Sequence, residues 1–356
     1  MGHKRTAAAP GRPAGGSAGR GRGRVRPSRV GRMDGDHGDA RLAERLRALT
    51  GGRFPVAGAL LGPEGAVTAS VGAGLGADYE IGSVSKGVTG LLYADALERG
   101  EVTAGTALGA LLPLADVPVG SVTLGTLATH RSGLPRIPAA ARPWRRTFAL
   151  WRHGANPYGE DVAELLDQAR TVRPGSARPR YSNLGFELLG HALAAAAGTS
   201  YEELVAARIG RPLGLDRFYL PATAADLRPG ALEGTTRRGG RREPWTGEAL
   251  GPAGGIRADI GSMARFTAAL LDGTAPGTAA LDPVAPFSGG TRIGAAWITL
   301  RVRSLAITMH NGGTGGFRSW LGLDREAGTG VVVLAAASVS VDRPGFALLT
   351  EGRPRT

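Results

Sequence analysis

Apolar residues first fall at helical spacing over Asp39–Leu49 (DARLAERLRAL), which predicts a short amphipathic helix. Two runs of β-type residues follow, Phe54–Leu61 and Ala66–Val71. The Gly-Pro-Glu-Gly between them is turn chemistry, so the pair predicts a hairpin. Ser83–Glu98 reads as a buried helix that ends at Arg99-Gly100. From about 104 to 250 the chain is Ala/Leu-rich helix broken by loops such as Ser132-Gly133-Leu134-Pro135. Its clearest helices are Ala163–Ala169, Leu184–Ala197 and Tyr201–Ile209. Ile256–Leu271 predicts one more helix, and strand patterning returns at Ala295–Val302, Ala306–His310, Ser319–Asp324 and Gly330–Ala335. Strands at both ends with helices between them predict an α/β (α+β) fold. One sheet is built from both chain ends (about 40–103 and 251–356) and flanked by helices, with an inserted, mostly helical lobe at about 104–250. A cleft between two such lobes is a usual place for a small-molecule site.

With 356 residues, 42% of them apolar, the chain can bury one large core, or a core and a smaller lobe. Its net charge of +13 is unevenly spread. Residues 1–32 hold nine basic side chains and no acid, which leaves the remainder at only +4. That stretch is Gly, Arg, Ala and Pro and has the composition of a disordered tail over 1–33, ahead of a folded domain at 34–356; Met33 is a plausible alternative start. It contains no apolar run of the kind a secretory signal needs, and Gly330–Ala337 is too short to span a membrane, so the chain reads as soluble and cytoplasmic. The absence of cysteine excludes disulfides and thiolate chemistry. A nucleic-acid-binding role for the tail, joined by Arg237, Arg238, Arg241 and Arg242, is the weaker reading. The tail has no interleaved aromatics, and Arg237–Arg242 reads as a solvated hairpin tip around Gly239-Gly240.

The charge inventory has one oddity. Of 43 basic residues only Lys4 and Lys86 are lysines, so Lys86 is the single lysine beyond the tail. Arginine keeps its proton near neutral pH, whereas a buried lysine amine can release it. Ser83 stands three residues before Lys86; on a helix that begins at Ser83 this spacing puts amine and hydroxyl on one face. Backbone N–H groups at the helix start favour developing negative charge, and a serine becomes nucleophilic beside a base. Ser85 is turned away from that arrangement. Two further motifs stand out: Tyr181-Ser182-Asn183, and His310-Asn311-Gly312 leading into Gly313-Thr314-Gly315-Gly316-Phe317. The latter packs four glycines into the five residues from Gly312 and lets a substrate lie close to backbone.

The order Ser83-x-x-Lys86, Tyr181-x-Asn183 and His310-x-Gly312 resembles the serine β-lactamase and penicillin-binding-protein superfamily, in its class C-like branch. That branch includes D-alanyl-D-alanine carboxypeptidases and β-lactamase-fold esterases. Glu80–Lys86, Leu127–Pro135 and Pro252–Ile256 are similar to it as well, and the resemblance runs from about residue 40 to the end. It implies a β-lactamase/transpeptidase-like fold with an antiparallel sheet. It also implies an acyl-enzyme formed on Ser83, with Lys86 and Tyr181 sharing general-base work and Tyr181 returning the proton to the leaving group. The backbone N–H groups of Ser83 and Gly313 would form the oxyanion hole. Asn183, His310, Asn311, Gly312 and Thr314 would bind substrate, Asn183 through a substrate amide or the Lys86 amine.

His310 stands where β-lactamases usually place lysine, and a histidine is only partly charged near pH 7. This departure favours an ester or amide hydrolase of esterase type. A β-lactamase or D-alanyl-D-alanine carboxypeptidase is the alternative, so the expected partner is a small-molecule ester, amide or lactam. Gly87 and Gly90 are less helix-favouring than the family's usual choices, and little chain remains after Ala335 for a long final helix. His130, His153 and His191 show no metal-ligand spacing and read as structural, and no cofactor is implied.

Overall fold

The computed structural model describes residues 1–2, 35–138, 143–302 and 304–351, and the unit Met33–Thr356 carries the fold. The Arg/Gly-rich tail lies almost wholly outside the described residues. In chain order the strands are β1 (Asp36–Gly38), β2 (Val56–Gly62), β3 (Gly65–Val71), β4 (Asp78–Glu80), β5 (Phe218–Tyr219), β6 (Gly234–Thr235), β7 (Arg241–Arg242), β8 (Arg257–Asp259), β9 (Ala285–Pro286), β10 (Arg292–Ile293), β11 (Ile298–Val302), β12 (Leu305–Gly313), β13 (Arg318–Asp324) and β14 (Thr329–Ala335). Among the described residues the large sheet has nine strands in the order β1-β3-β2-β14-β13-β12-β11-β10-β9, every neighbouring pair antiparallel. The hairpin β2–β3 from the start of the chain joins the β11–β14 meander through β14, with Leu61 opposite Gly330 and Val56 opposite Ala335. A small sheet, β4-β8-β5, and the hairpin β6–β7 stand apart from it.

The helices are α1 (Ala40–Thr50), α2 (Val84–Glu98), α3 (Leu124–Ala128), α4 (Pro143–His153), α5 (Val162–Arg170), α6 (Asn183–Ala196), α7 (Tyr201–Val205), α8 (Gly251–Gly254), α9 (Ile260–Asp272) and α10 (Asp342–Glu351). Successive side chains of a strand face opposite ways, and the sheet uses both faces. Val331, Val333 and Ala335 join Trp320, Leu42, Leu46 and Leu348 under α1 and α10. Val332 and Leu334 join Leu321, Leu323, Met263 and Phe266 in the larger core on the other face, which α2, α6 and α9 share. Each fully buried Leu or Val contributes about 1.5–3 kcal/mol, so the alternation also fixes the register, because a one-residue slip would expose both sets. α1 starts where Asp39 accepts the Leu42 N–H and stops at Gly51, which takes φ +80°.

Several sequence expectations need correction. Ile256–Leu271 is not one helix: Arg257–Asp259 is a strand, and the helix starts only at Ile260 with Asp259 as its cap. Pairing with β4 and β5 captures this segment, a non-local choice that outweighs its local pattern. The strand expected over Ala295–Val302 begins at Ile298, because Ala296 takes φ +68° and breaks the extended run. Tyr201–Ile209 is α-helical only to Val205 and continues as a π turn over Ala206–Gly210. In line with the little chain left after Ala335, the final helix is short, the ten residues of α10. No helix among the described residues is long and apolar enough to cross a membrane.

Candidate active site

Ser83 stands at the start of α2, directly after Gly82, whose φ of +51° favours glycine. This turn lies backbone to backbone against the end of β12. A Cβ on Gly82 would stand 2.7 Å from the Gly313 nitrogen, and one on Gly312 would stand 2.1 Å from the Ile81 carbonyl oxygen. The Ser319 hydroxyl on the neighbouring β13 donates to that same carbonyl at 2.6 Å and ties the turn to the sheet. Among the described residues the Ser83 N–H donates to no backbone carbonyl. Thr314 donates its N–H to the Phe317 carbonyl at 3.1 Å across the β12–β13 turn. The alternation of an antiparallel pair therefore turns the Gly313 N–H toward the other edge of β12. β11 pairs only as far as Met309, so it does not cover that edge.

Lys86 is fully buried one turn into α2, with Nζ 3.4 Å from the Ser83 Oγ. The amine also donates to the Ala253 carbonyl, and among the described residues no carboxylate pairs with it. Ser85 points elsewhere, its hydroxyl accepting the Ile256 N–H at 3.2 Å.

Tyr181 lies over this amine, with Nζ 4.9 Å from the ring centre. His130 packs behind Tyr181 with ring centres 4.6 Å apart, and its Nδ1 accepts the Ser182 N–H at 3.2 Å. His130 has φ +55° and is buried, and burial holds its imidazole well below the usual histidine range, helped by the nearby Lys86 and His310.

His310 is different from expectation. It is 2% exposed, and its Nδ1 donates to the Asn311 carbonyl at 2.7 Å. Burial, with the neighbouring Lys86, lowers it to about 4. It is therefore neutral near pH 7 rather than partly charged, and it does not line the cleft. Asn183, expected to meet a substrate amide or Lys86, donates its Nδ2 to the Tyr158 hydroxyl at 2.8 Å, and its buried Oδ1 has no partner among the described residues.

A cleft of about 520 Å³ opens over Ser83 and Tyr181, and Asn311, Gly312, Gly313 and Thr314 line it. The same wall carries Arg136, Arg318 and Asp342, which sequence reasoning did not single out. The Arg136 guanidinium stands 5.6 Å from the Tyr181 ring centre. Arg318 donates to the Thr314 and Phe317 carbonyls at 2.7 Å, and Asn311 donates to Asp342 at 2.8 Å. Their adjacency to Leu134-Pro135 and to Gly316-Phe317 is the one sequence signal that marked the two arginines. Behind Ser83, fully buried Arg257 bonds Asp78 at 2.6 Å and Glu80 at 3.1 Å, and Glu80 also accepts the Trp245 N–H at 2.9 Å. Burial raises Glu80 against the opposing pull of Arg257. This network anchors the strand that delivers Gly82 and Ser83. Among the described residues no cluster of His, Cys, Asp and Glu is arranged to hold a metal.

A family model described as Beta-lactamase matches residues 66–348. The D-alanyl-D-alanine-carboxypeptidase/endopeptidase AmpH of Escherichia coli (strain K12) is 35% identical over 147 residues, which is 40% of this chain and 37% of that protein. The unguisins hydrolase ungD' of Aspergillus campestris is 28% identical over 256 residues, 64% of this chain and 45% of the other. The chain thus spans less than half the length of these curated relatives. Among solved structures, a β-lactamase/D-alanine carboxypeptidase from Pseudomonas syringae superposes with a TM-score of 0.74 at 16% identity, covering 88% of this chain and 98% of that one. A class C β-lactamase from Rhodobacter sphaeroides gives 0.71 at 20% identity, covering 87% and 98%. At these identities the structural likeness speaks for the fold.

Proposed function

This chain belongs to the beta-lactamase family and is a serine hydrolase, and from that membership we propose that it cleaves a carboxylic ester or amide through an acyl-enzyme on Ser83. The observation that carries the reading is the Lys86 amine 3.4 Å from the Ser83 hydroxyl, at a helix start that faces the glycines of β12. Lys86 takes the Ser83 proton as Oγ attacks the carbonyl carbon. The oxyanion so formed accepts hydrogen bonds from the Ser83 and Gly313 N–H groups, where one such donor contributes about 3–4 kcal/mol. Tyr181, beside the amine, passes the proton to the leaving oxygen or nitrogen as the carbonyl re-forms. Water then attacks the acyl carbon, loses its proton to the same pair, and releases the acid and Ser83.

An esterase-type substrate is the leading choice, because His310 is neutral and buried where a fixed lysine would receive a carboxylate. A β-lactam or a D-alanyl-D-alanine peptide is the second reading. It is favoured by Arg136 and Arg318 on the cleft wall, which suit a substrate carboxylate, and by the activity in the name of the AmpH relative.

Intact mass after exposure to a fluorophosphonate, p-nitrophenyl acetate and penicillin tests both readings. A single fluorophosphonate adduct mapped to Ser83 is expected. No adduct on Ser83 overturns the mechanism, and a penicilloyl adduct without an acetyl one favours the second reading.

A further inference from the structure

The helix α4 reads PWRRTFALWRH: three arginines, one histidine and no acid. Trp144, Phe148 and Trp151 are spaced i, i+4 and i+7, which puts all three on one helix face. They are 87%, 59% and 72% exposed, the largest aromatic exposure among the described residues. Phe148 and Trp151 lie with ring centres 6.3 Å apart and continue the stripe. Arg145 and Arg152 are seven residues apart, project along one flank of the stripe and are exposed, with no ion pair among the described residues. Leu150, on the opposite side of the helix, lines the cleft over Ser83, and its carbonyl accepts from Arg242 at 2.6 Å. The helix therefore has an inward side that belongs to the site and an outward side that none of the described residues covers. Leaving two tryptophans and a phenylalanine in water is costly, and isolated large apolar side chains are common while a contiguous aromatic stripe is not.

We infer that α4 is an interfacial helix that seats this chain on an anionic lipid bilayer. Tryptophan and phenylalanine enter the headgroup–acyl boundary while the flanking arginines meet lipid phosphates. Charge complementarity selects the occupant: a cationic flank without a single acid fits a negative surface, whereas a second copy of the same helix would bring like charges together. Seating by α4 places the bilayer beside the cleft wall, since Leu150 belongs to both. The inference rests on α4 alone and does not depend on acylation of Ser83.

The test uses the full chain and vesicles of phosphatidylcholine with or without phosphatidylglycerol. Co-sedimentation with the anionic vesicles is expected, with little on phosphatidylcholine alone. Trp144→Gln/Phe148→Gln/Trp151→Gln should weaken it at least tenfold without lowering the melting temperature. Because the basic residues of the first 32 positions can also attract anionic lipid, insertion is read separately through tryptophan quenching by brominated lipid. Trp144→Phe/Trp151→Phe should keep vesicle binding and lose most of that quenching, because the remaining tryptophans are not on α4. Three outcomes overturn the proposal: no binding by the wild-type chain, equal binding by the triple variant, or quenching that survives in the double variant. A concentration-dependent dimer abolished by the triple variant, with no vesicle binding, would assign the face to a second copy instead.

Discussion

The indole of Trp297 occupies the space where a side chain on Gly87 would go. Its Cζ2 lies 2.7 Å from an ideal Cβ on Gly87, and its Nε1 donates to the Gly87 carbonyl at 3.2 Å. One turn on, Gly90 is closer still to its neighbour, with a Cβ there 2.1 Å from the Ala295 carbonyl oxygen. Two residues that look like weaknesses in α2 are the contact points that let it lie against the segment before β11. Gly90→Ala gains about 1 kcal/mol of helix propensity, but it forces backbone apart, and overpacking of this kind costs about 1–3 kcal/mol or more. A net loss of stability, seen as a melting temperature lowered by several degrees, is expected. An unchanged or raised value would mean that α2 can shift away from Ala295.

Lys86→Arg separates a base from a structural cation. If Lys86 accepts the Ser83 proton, arginine cannot replace it, and labelling of Ser83 by a fluorophosphonate should slow by about 10²–10⁴, as for loss of a general base. Lys86→Ala should be similarly slow. Because Lys86 is fully buried, the melting temperature is measured alongside, so that a folded but unreactive variant is recognised. Labelling at the wild-type rate in Lys86→Arg would remove Lys86 from the mechanism.

His310 makes a pH prediction with a definite sign. Its folded-state value of about 4 lies below the ordinary histidine value of 6.5, so between these values the unfolded chain binds a proton that the folded chain does not. Stability is then fully present above about 6.5 and falls as pH drops toward 4, at up to about 1.4 kcal/mol per pH unit for one proton. His130 and His191 are lowered by burial too and add to the same slope. Urea unfolding at pH 7 and pH 5 should show the loss, and His310→Gln should have a shallower dependence. An identical slope in the variant would mean that His310 titrates like a solvent-exposed imidazole.

Arg136 bears on the choice of substrate. If the cleft cations receive an anionic group, Arg136→Gln should lower kcat/KM for carboxylate-bearing esters about tenfold or more relative to neutral p-nitrophenyl esters, in line with about 1.5–3 kcal/mol for a charge-assisted hydrogen bond. Equal loss on both substrate classes would point to Arg136 holding the Tyr181 ring instead.

Features that depend on neighbours along the chain are legible in the order of the residues. The hairpin β2–β3, the helices α1, α2 and α6 and the meander β12–β14 follow from apolar periodicity and turn residues. The pairing of Ser83 with Lys86 follows from helix geometry, because a spacing of three leaves the two side chains no other relation once α2 forms. The other features depend on residues remote in sequence. The stretch Ile256–Leu271 carries an apolar pattern compatible with one helix, yet its Arg257–Asp259 became strand because β4 and β5 flank it. Arg136 and Arg318 come to one wall from segments nearly two hundred residues apart, so no spacing could announce them. His310 has the residue type of a pH-sensitive cation. Its charge is set instead by desolvation, with the nearby Lys86 charge adding to it, and desolvation is a property of the packed interior, absent from any local stretch of chain.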